Sequence, residues 1–140
     1  MADRSEFYFS TKRLNSIMIK SFLIVGLGGG AGSMLRYAVQ KIFHPQNAAA
    51  FLTGTLLANI AGCFLIGILW SFFTRSLTLS EDLKLLLMTG FCGGFTTFSA
   101  FTLEGIGLLK ENKTALFLIY TSASVLGGLL ATFIGIRIIK

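Results

Sequence analysis

The sequence has little charge, one proline and two cysteines. Asp, Glu, Lys and Arg make up 13% of its 140 residues, about half the share that is usual in soluble proteins. The two cysteines, Cys63 and Cys92, lie in apolar runs and form neither a disulfide framework nor a metal cluster. The single histidine, His44, lies between two apolar runs without a nucleophile–base set, so an enzyme is the class of protein least favoured.

Apolar residues are abundant instead. They make up 54% of the sequence, and the mean hydropathy is +0.76. A soluble domain of this size could not bury so much apolar surface, and a disordered chain carries more charge and fewer large apolar residues. We therefore interpret the chain as an all-helical integral membrane protein.

Four apolar runs are long enough to cross roughly 30 Å of hydrocarbon as helices. They cover residues 19–43, 48–73, 83–109 and 114–139, and the short connections between them hold no soluble domain. The function is therefore expected within the lipid bilayer. Residues 1–17 are polar, of mixed charge and unlike a signal peptide. We expect them to be a disordered tag or a mis-assigned start, and residues 18–140 to form the transmembrane domain.

Basic residues are nearly balanced between the two sides of the predicted membrane domain. Without residues 1–17, one side has Lys20, Arg75, Lys84, Arg137 and Lys140, and the other has Lys41, Lys110 and Lys113. Arg36, near the second end of the first run, adds one more to the second side. So weak a bias leaves two outcomes open. The chain inserts in one orientation, or it inserts in both and pairs antiparallel.

Polar residues recur along one face of the second and fourth runs. Thr55 and Asn59 are four residues apart, and the fourth run repeats the pattern with Tyr120, Ser124, Gly128 and Thr132. Polar groups inside a bilayer are costly without partners, so this pattern indicates where the function lies. The neighbouring stripe of Gly127, Ala131 and Gly135, like the glycine-rich residues 26–32, is typical of close helix packing.

The third run predicts a helix that is broken near the middle of the membrane. Residues 90–102 read GFCGGFTTFSAFT, and two glycines followed by two β-branched threonines form a poor helix. Irregular backbone at that depth survives only when it is buried in protein or lines a watery cavity. Free carbonyls from Gly93 to Thr96 would suit a cation. A second half beginning near Thr97 would favour an anion through its free N–H groups.

Aromatic rings and hydroxyls alternate after the predicted break. Phe98 and Phe101 are three residues apart, as are Ser99 and Thr102 on the adjacent stripe. A ring edge carries partial positive charge, and a hydroxyl can donate a hydrogen bond. The pattern therefore predicts a path for a small, hard anion, with ordinary aromatic packing as the alternative.

Taken together, these residues resemble the fluoride channel family, Fluc, also called CrcB, over residues 19–139. The matching motifs are GGFTTFSAFT at 93–102, GTLLAN at 54–59 with Gly62, and GGAGSMLRY at 29–37. The resemblance implies a fluoride-selective channel that exports fluoride passively across the cytoplasmic (inner) membrane. It also implies a dual-topology antiparallel homodimer, with two pores at the subunit interface, a central structural sodium ion and no nucleic acid partner.

The resemblance further implies roles for single residues. It assigns the sodium ligands to the backbone carbonyls of Gly93 and Thr96, and the vestibule to Arg36. The implied pore lining comprises Thr55, Asn59, Phe98, Ser99, Phe101, Thr102, Tyr120 and Thr132. The sequence departs from the family at Ala100, where Ser or Thr is usual. A neighbouring hydroxyl must act there, or conduction differs.

Glu104 is the one acid well inside a predicted span. A carboxylate beside an anion path is expected to be either protonated or paired with a cation such as Arg36 or Lys110. We expect a paired residue near the interface, while a gating or vestibule role stays open. A competing interpretation is a proton-coupled exporter of small organic cations, but such proteins keep their acid in the first span, where this sequence has none. A non-transporting scaffold is the third interpretation, and it gives Asn59 and the broken helix no purpose.

Overall fold

A computed structural model of the chain describes residues 4–43, 48–75 and 80–139. These ranges contain α1 (Arg4–Ile42), α2 (Ala48–Arg75), α3 (Glu81–Lys84), a π-helix (Leu85–Cys92), α4 (Gly93–Phe95), α5 (Phe98–Lys110) and α6 (Thr114–Ile138). No strand occurs in the described ranges. The predicted connection at residues 44–47, with His44, lies outside them, as do residues 76–79.

Four helical stretches are long and apolar enough to cross a membrane. They are Ser16–Ile42, Leu52–Arg75, Glu81–Lys110 and Thr114–Ile138, which confirms the four predicted spans. α1 begins at Arg4, so it includes residues 4–17, and the expectation that residues 1–17 are a disordered tag or a mis-assigned start stays a prediction. At roughly 1.5 Å per residue, the 39 residues of α1 exceed a hydrocarbon core of roughly 30 Å.

The third span is broken, as the sequence predicts. Thr96 (φ −85°, ψ 156°) and Thr97 (φ −149°, ψ 121°) are extended, and α5 begins directly after them. The two glycines do not break the helix themselves, because Gly93 and Gly94 are helical within α4. The break follows instead from the β-branched threonines, which are poor helix formers.

Glycines in α1 bring its backbone into direct contact with the first half of the third span. A Cβ atom on Gly28 would lie 2.3 Å from Leu86 O, and one on Gly32 would lie 2.1 Å from Phe91 O. Leu86 and Phe91 belong to the π-helix, whose wide turns the sequence did not predict. A Cβ on Gly94 would lie 2.3 Å from Gly29 O. These contacts confirm the interpretation of residues 26–32 as a packing surface.

The glycine stripe of α6 packs against α2 in the same way. A Cβ on Gly135 would lie 2.4 Å from Phe64 O, and one on Gly127 would lie 3.0 Å from Ile60 Cδ1. Ala131, between them in the stripe, is buried. The α1 contacts hold the first half of the broken span, and the α6 contacts hold α2, in place around the site described below.

Gly32→Ala is expected to destabilise the protein, whereas Gly30→Ala is expected to leave its stability unchanged. The Gly32 methyl would meet backbone atoms that cannot move aside, and overpacking of this kind costs about 1–3 kcal/mol. Nothing lies within 4 Å of the Gly30 position. Thermal unfolding in detergent compares the two variants, and equal melting temperatures would contradict the close packing of α1.

Candidate functional site

The site is built around the two extended threonines of the third span. The Thr97 hydroxyl accepts a hydrogen bond from Ala100 N at 3.2 Å and thereby caps the first turn of α5. The Thr96 hydroxyl turns back and donates to Cys92 O at 3.0 Å. Each threonine therefore satisfies a backbone group of the half-helix next to it, which makes the break a defined structure.

Asn59 of α2 holds the break through both ends of its amide. Its Nδ2 donates to Thr97 O at 3.1 Å, and its Oδ1 accepts from Thr97 N at 2.7 Å. The two hydrogen bonds resemble those that a residue pair forms between two β-strands, with the Asn59 side-chain amide in place of one backbone. Asn59 was predicted to line the pore. The structure places it at the break, in a backbone contact that leaves one amide hydrogen for other partners.

Two carbonyls at the break lose the donors that a continuous helix would supply. Thr97 N, the helical donor for Gly93 O, bonds to Asn59 instead. Ala100 N, the helical donor for Thr96 O, bonds to the Thr97 hydroxyl. Gly93 and Thr96 both line a cleft of about 580 Å³ together with Asn59 and Phe98. The chemistry of these carbonyl oxygens suits a hard cation.

Arg36 and Ser33 of α1 bind the carbonyl between these two. Gly94 O accepts from Arg36 Nε at 3.1 Å and from Ser33 Oγ at 3.3 Å. The positive charge of the guanidinium stabilises the carbonyl end of the first half-helix, which carries partial negative charge. Arg36, predicted to lie in a vestibule, thus contacts the break directly.

Aromatic rings lead from the break into the protein. Phe98 is 76% exposed beside the cleft. Its ring centroid lies 5.6 Å from that of Phe101, which lies 5.3 Å from that of Tyr120. The structure therefore brings three of the predicted pore residues into one row, which ends at the Tyr120 hydroxyl.

The remaining predicted hydroxyls lie on either side of this row or apart from it. Ser99 Oγ lies 3.2 Å from Thr97 Oγ1, and the Thr102 hydroxyl donates to Ser99 O at 3.0 Å. Thr132 donates to Cys63 O at 3.0 Å and so joins α6 to α2. Ala100, which has no hydroxyl, contributes its backbone N–H to the helix cap.

Glu104 lies at the inner end of the aromatic row. Its two carboxylate oxygens accept hydrogen bonds from the hydroxyls of Thr55 and Tyr120, each at 2.5 Å. The residue is only 7% exposed. The expected ion pair with Arg36 or Lys110 was wrong, since among the ion pairs of the described residues none includes Glu104. Two hydroxyls, from α2 and α6, take the place of a cation.

Gln40 completes this cluster, and sequence reasoning missed it. Its Nε2 donates to the Thr55 hydroxyl at 3.1 Å. The residues next to Gln40 in the sequence form no motif that would indicate a functional role. Its four-residue spacing from Arg36, which places both side chains on one face of α1, was the only available signal. We call Gln40, Thr55, Glu104 and Tyr120 the acceptor cluster, because its hydrogen bonds converge on the Glu104 carboxylate.

Comparisons with known proteins agree with this architecture. A family model described as "CrcB-like protein, Camphor Resistance (CrcB)" matches residues 23–136. A "Fluoride-specific ion channel FluC" of Flavobacterium psychrophilum is 42% identical over 122 residues, which are 87% of this chain and 98% of that protein. Proteins of the same name from Rhizobium etli (44% over 118 residues, 84% and 94%) and Pseudomonas fluorescens (42% over 123 residues, 88% and 99%) are similarly close.

The family match covers most of all four membrane-crossing stretches and spans every position of the acceptor cluster and the break. The chain is a multi-pass membrane protein, which in bacteria resides in the inner membrane. Its family is one of ion channels rather than enzymes. With a family model matched over most of its length, the chain belongs to the CrcB family.

Proposed function

We propose that this protein is a fluoride-selective channel through which fluoride leaves the cell passively. The observation that carries the proposal is the row of Phe98, Phe101 and Tyr120, which connects the broken helix with the acceptor cluster. The relatives carry the name of a fluoride-specific channel, and this row supplies a physical reason why the same anion would suit this chain.

Fluoride is small and strongly hydrated, so a selective path must replace its water with many donors at short range. The row offers ring edges, and the hydroxyls of Ser99, Thr55 and Tyr120 follow or flank it. The remaining amide hydrogen of Asn59 adds a donor at the break. Chloride is larger and gains less from such donors, which gives the path its selectivity.

Glu104 occupies the place that an anion would take in the acceptor cluster. Both hydroxyl donors of the cluster, Thr55 and Tyr120, are committed to its carboxylate. A fluoride ion that reaches this point must compete with the carboxylate for the same two hydrogens. Passage therefore involves displacement of Glu104 from at least one of them.

A second copy of the chain would complete the site. Phe98 is largely exposed, and the cleft beside it is open on the surface of one subunit. An antiparallel partner related by a two-fold axis would cover this face and create two equivalent paths at the interface. The weak charge bias between the two sides is compatible with insertion in both orientations.

The proposal includes a central structural sodium ion on the same two-fold axis. Gly93 O and Thr96 O of one subunit, with the same two atoms of a partner, would supply four oxygen ligands on the axis. These carbonyls are the ones that lose their helical donors at the break, which supports them as the ligands. When bound, the ion would offset repulsion between carbonyls that face each other.

The decisive experiment is anion efflux from liposomes that contain the purified protein. Liposomes loaded with fluoride and chloride are expected to release fluoride and retain chloride, as followed with one electrode for each ion. Protein-free liposomes provide the control. Equal release of both anions would contradict selectivity. Proton-driven uptake of an organic cation without any fluoride release would favour the exporter.

Removal of sodium is expected to abolish fluoride efflux. Protein purified and reconstituted in potassium should lose flux, since potassium is larger than sodium and needs longer distances to its oxygen ligands, and readdition of sodium should restore it. The measurement compares initial efflux rates in the two salts at equal ionic strength. Flux that is indifferent to the cation would contradict the assignment of Gly93 and Thr96, while leaving the anion path intact.

A further inference from the structure

We propose that Gln40 is a positioning residue for the anion path, because it fixes the direction in which the Thr55 hydroxyl donates. This inference rests on the proposed fluoride channel. Gln40 lies near the end of α1, where its Cα is 2.9 Å from the position that a Cβ on Gly54 would occupy. The two helices therefore meet closely, and the Gln40 amide reaches Thr55.

The direction in which Thr55 donates depends on the few hydrogens available in the cluster. Thr55 has a single hydroxyl hydrogen, which it can give either to Glu104 or to an acceptor on α1. Since Gln40 Nε2 donates to Thr55 Oγ1, the hydroxyl receives a bond on this side and gives its hydrogen on the other. An ionised Glu104 can only accept, and so can a fluoride ion that replaces it. Gln40 thus keeps Thr55 a donor toward the anion.

Few charged groups compete for this bond. Glu104 of α5 and Tyr120 of α6 belong to the cluster itself, and α2 contributes the hydroxyl of Thr55. On α1, Arg36 is engaged with Gly94 O, and Lys41 is exposed, with its ammonium 5.7 Å from the centre of the Tyr37 ring. A new titratable group at position 40 would therefore act on Thr55 and on the Glu104 carboxylate that shares the Thr55 hydroxyl, so Gln40→Met, which adds no charge, is the necessary comparison.

Gln40→Glu and Gln40→Met test the proposal through the pH dependence of fluoride efflux. The Glu variant keeps the size of the side chain, but when ionised it can only accept, so Thr55 turns its hydrogen toward α1. Its efflux should fall about tenfold, equivalent to about 1.4 kcal/mol, at the upper end of the range from about pH 5 to pH 8. Protonation restores a donor, so efflux should recover at the lower end.

Gln40→Met and the unmodified protein provide the comparison. The Met variant has no donor at any pH, so its efflux should be reduced without the recovery, and the unmodified protein corrects for titration of Glu104. A Glu variant with the pH profile of the unmodified protein would overturn the proposal. Full efflux in the Met variant would overturn it as well.

A double-mutant cycle separates this inference from the proposed function. Thermal stabilities of Gln40→Met, Thr55→Val and the double variant give the coupling between the two side chains, whether or not the protein conducts. Absence of coupling would overturn the positioning role even if fluoride efflux is normal. Coupling in a protein that passes no fluoride would instead refute the channel while leaving the contact between Gln40 and Thr55 established.

Discussion

Replacement of Phe98 or Phe101 by isoleucine is expected to remove most of the fluoride efflux while the protein remains folded. Isoleucine keeps an apolar side chain but has no ring edge with partial positive charge. Because Phe98 is 76% exposed in one subunit, its loss removes little packing within the subunit. A barrier raised by only about 2.7 kcal/mol would slow permeation about a hundredfold.

The measurement is initial fluoride efflux at equal protein density, with thermal unfolding as the test of integrity. Phe22→Ile is the matched control, since Phe22 is 72% exposed on α1 and does not belong to the row from Phe98 to Tyr120. Normal efflux in both variants of the row would refute a role for ring edges. An equal loss of efflux in Phe22→Ile would mean that the effect is not specific to the row, which would contradict the proposed fluoride path.

The features predicted correctly depend on neighbours in the sequence. Four spans follow from the length of apolar runs, and the packing surface of α1 follows from consecutive glycines. The break was predicted from two glycines followed by Thr96 and Thr97, and it lies at the two consecutive threonines, whose branched side chains lower helix propensity. Each of these signals is contained within one segment, so no knowledge of the partner helix is needed.

The features that were missed depend on contacts between segments. Asn59 and Thr97 are 38 residues apart, and nothing in either segment indicates that an amide would pair with a backbone rung. Glu104 was given a cationic partner because charge is the strongest cue in a sequence, whereas the fold supplies two hydroxyls from other helices. The π-helix lies where glycines of α1 pack against the third span. The helix propensities of its own residues do not predict it.

These contacts link the stability of the protein with its proposed conduction. The break exposes backbone groups at a depth where water cannot satisfy them. Side chains from neighbouring helices supply the missing hydrogen bonds. Asn59 of α2 pairs with Thr97, and Arg36 and Ser33 of α1 donate to Gly94 O. The irregular backbone that would create the cation and anion sites therefore exists only while α1 and α2 are docked.

Asn59→Leu is therefore expected to be the most damaging single change at the site. Leucine is similar in size but leaves Thr97 N and Thr97 O without their partners, and each buried unpaired group costs about 1–3 kcal/mol. The broken helix should lose its defined geometry. Both the melting temperature and the fluoride efflux should fall, and the two losses should occur together because the same contact supports both.

Asn59→Asp and Ser71→Ala make this expectation specific. Asp keeps the acceptor for Thr97 N but loses the donor to Thr97 O, so its effect should lie between those of asparagine and leucine. Ser71→Ala removes one buried hydrogen bond, to Ile139 O, from the same helix and should cost about 1 kcal/mol with efflux preserved. If Asn59→Leu melted like Ser71→Ala and still conducted, Asn59 would not hold the break, and the irregular backbone would need another source of stability.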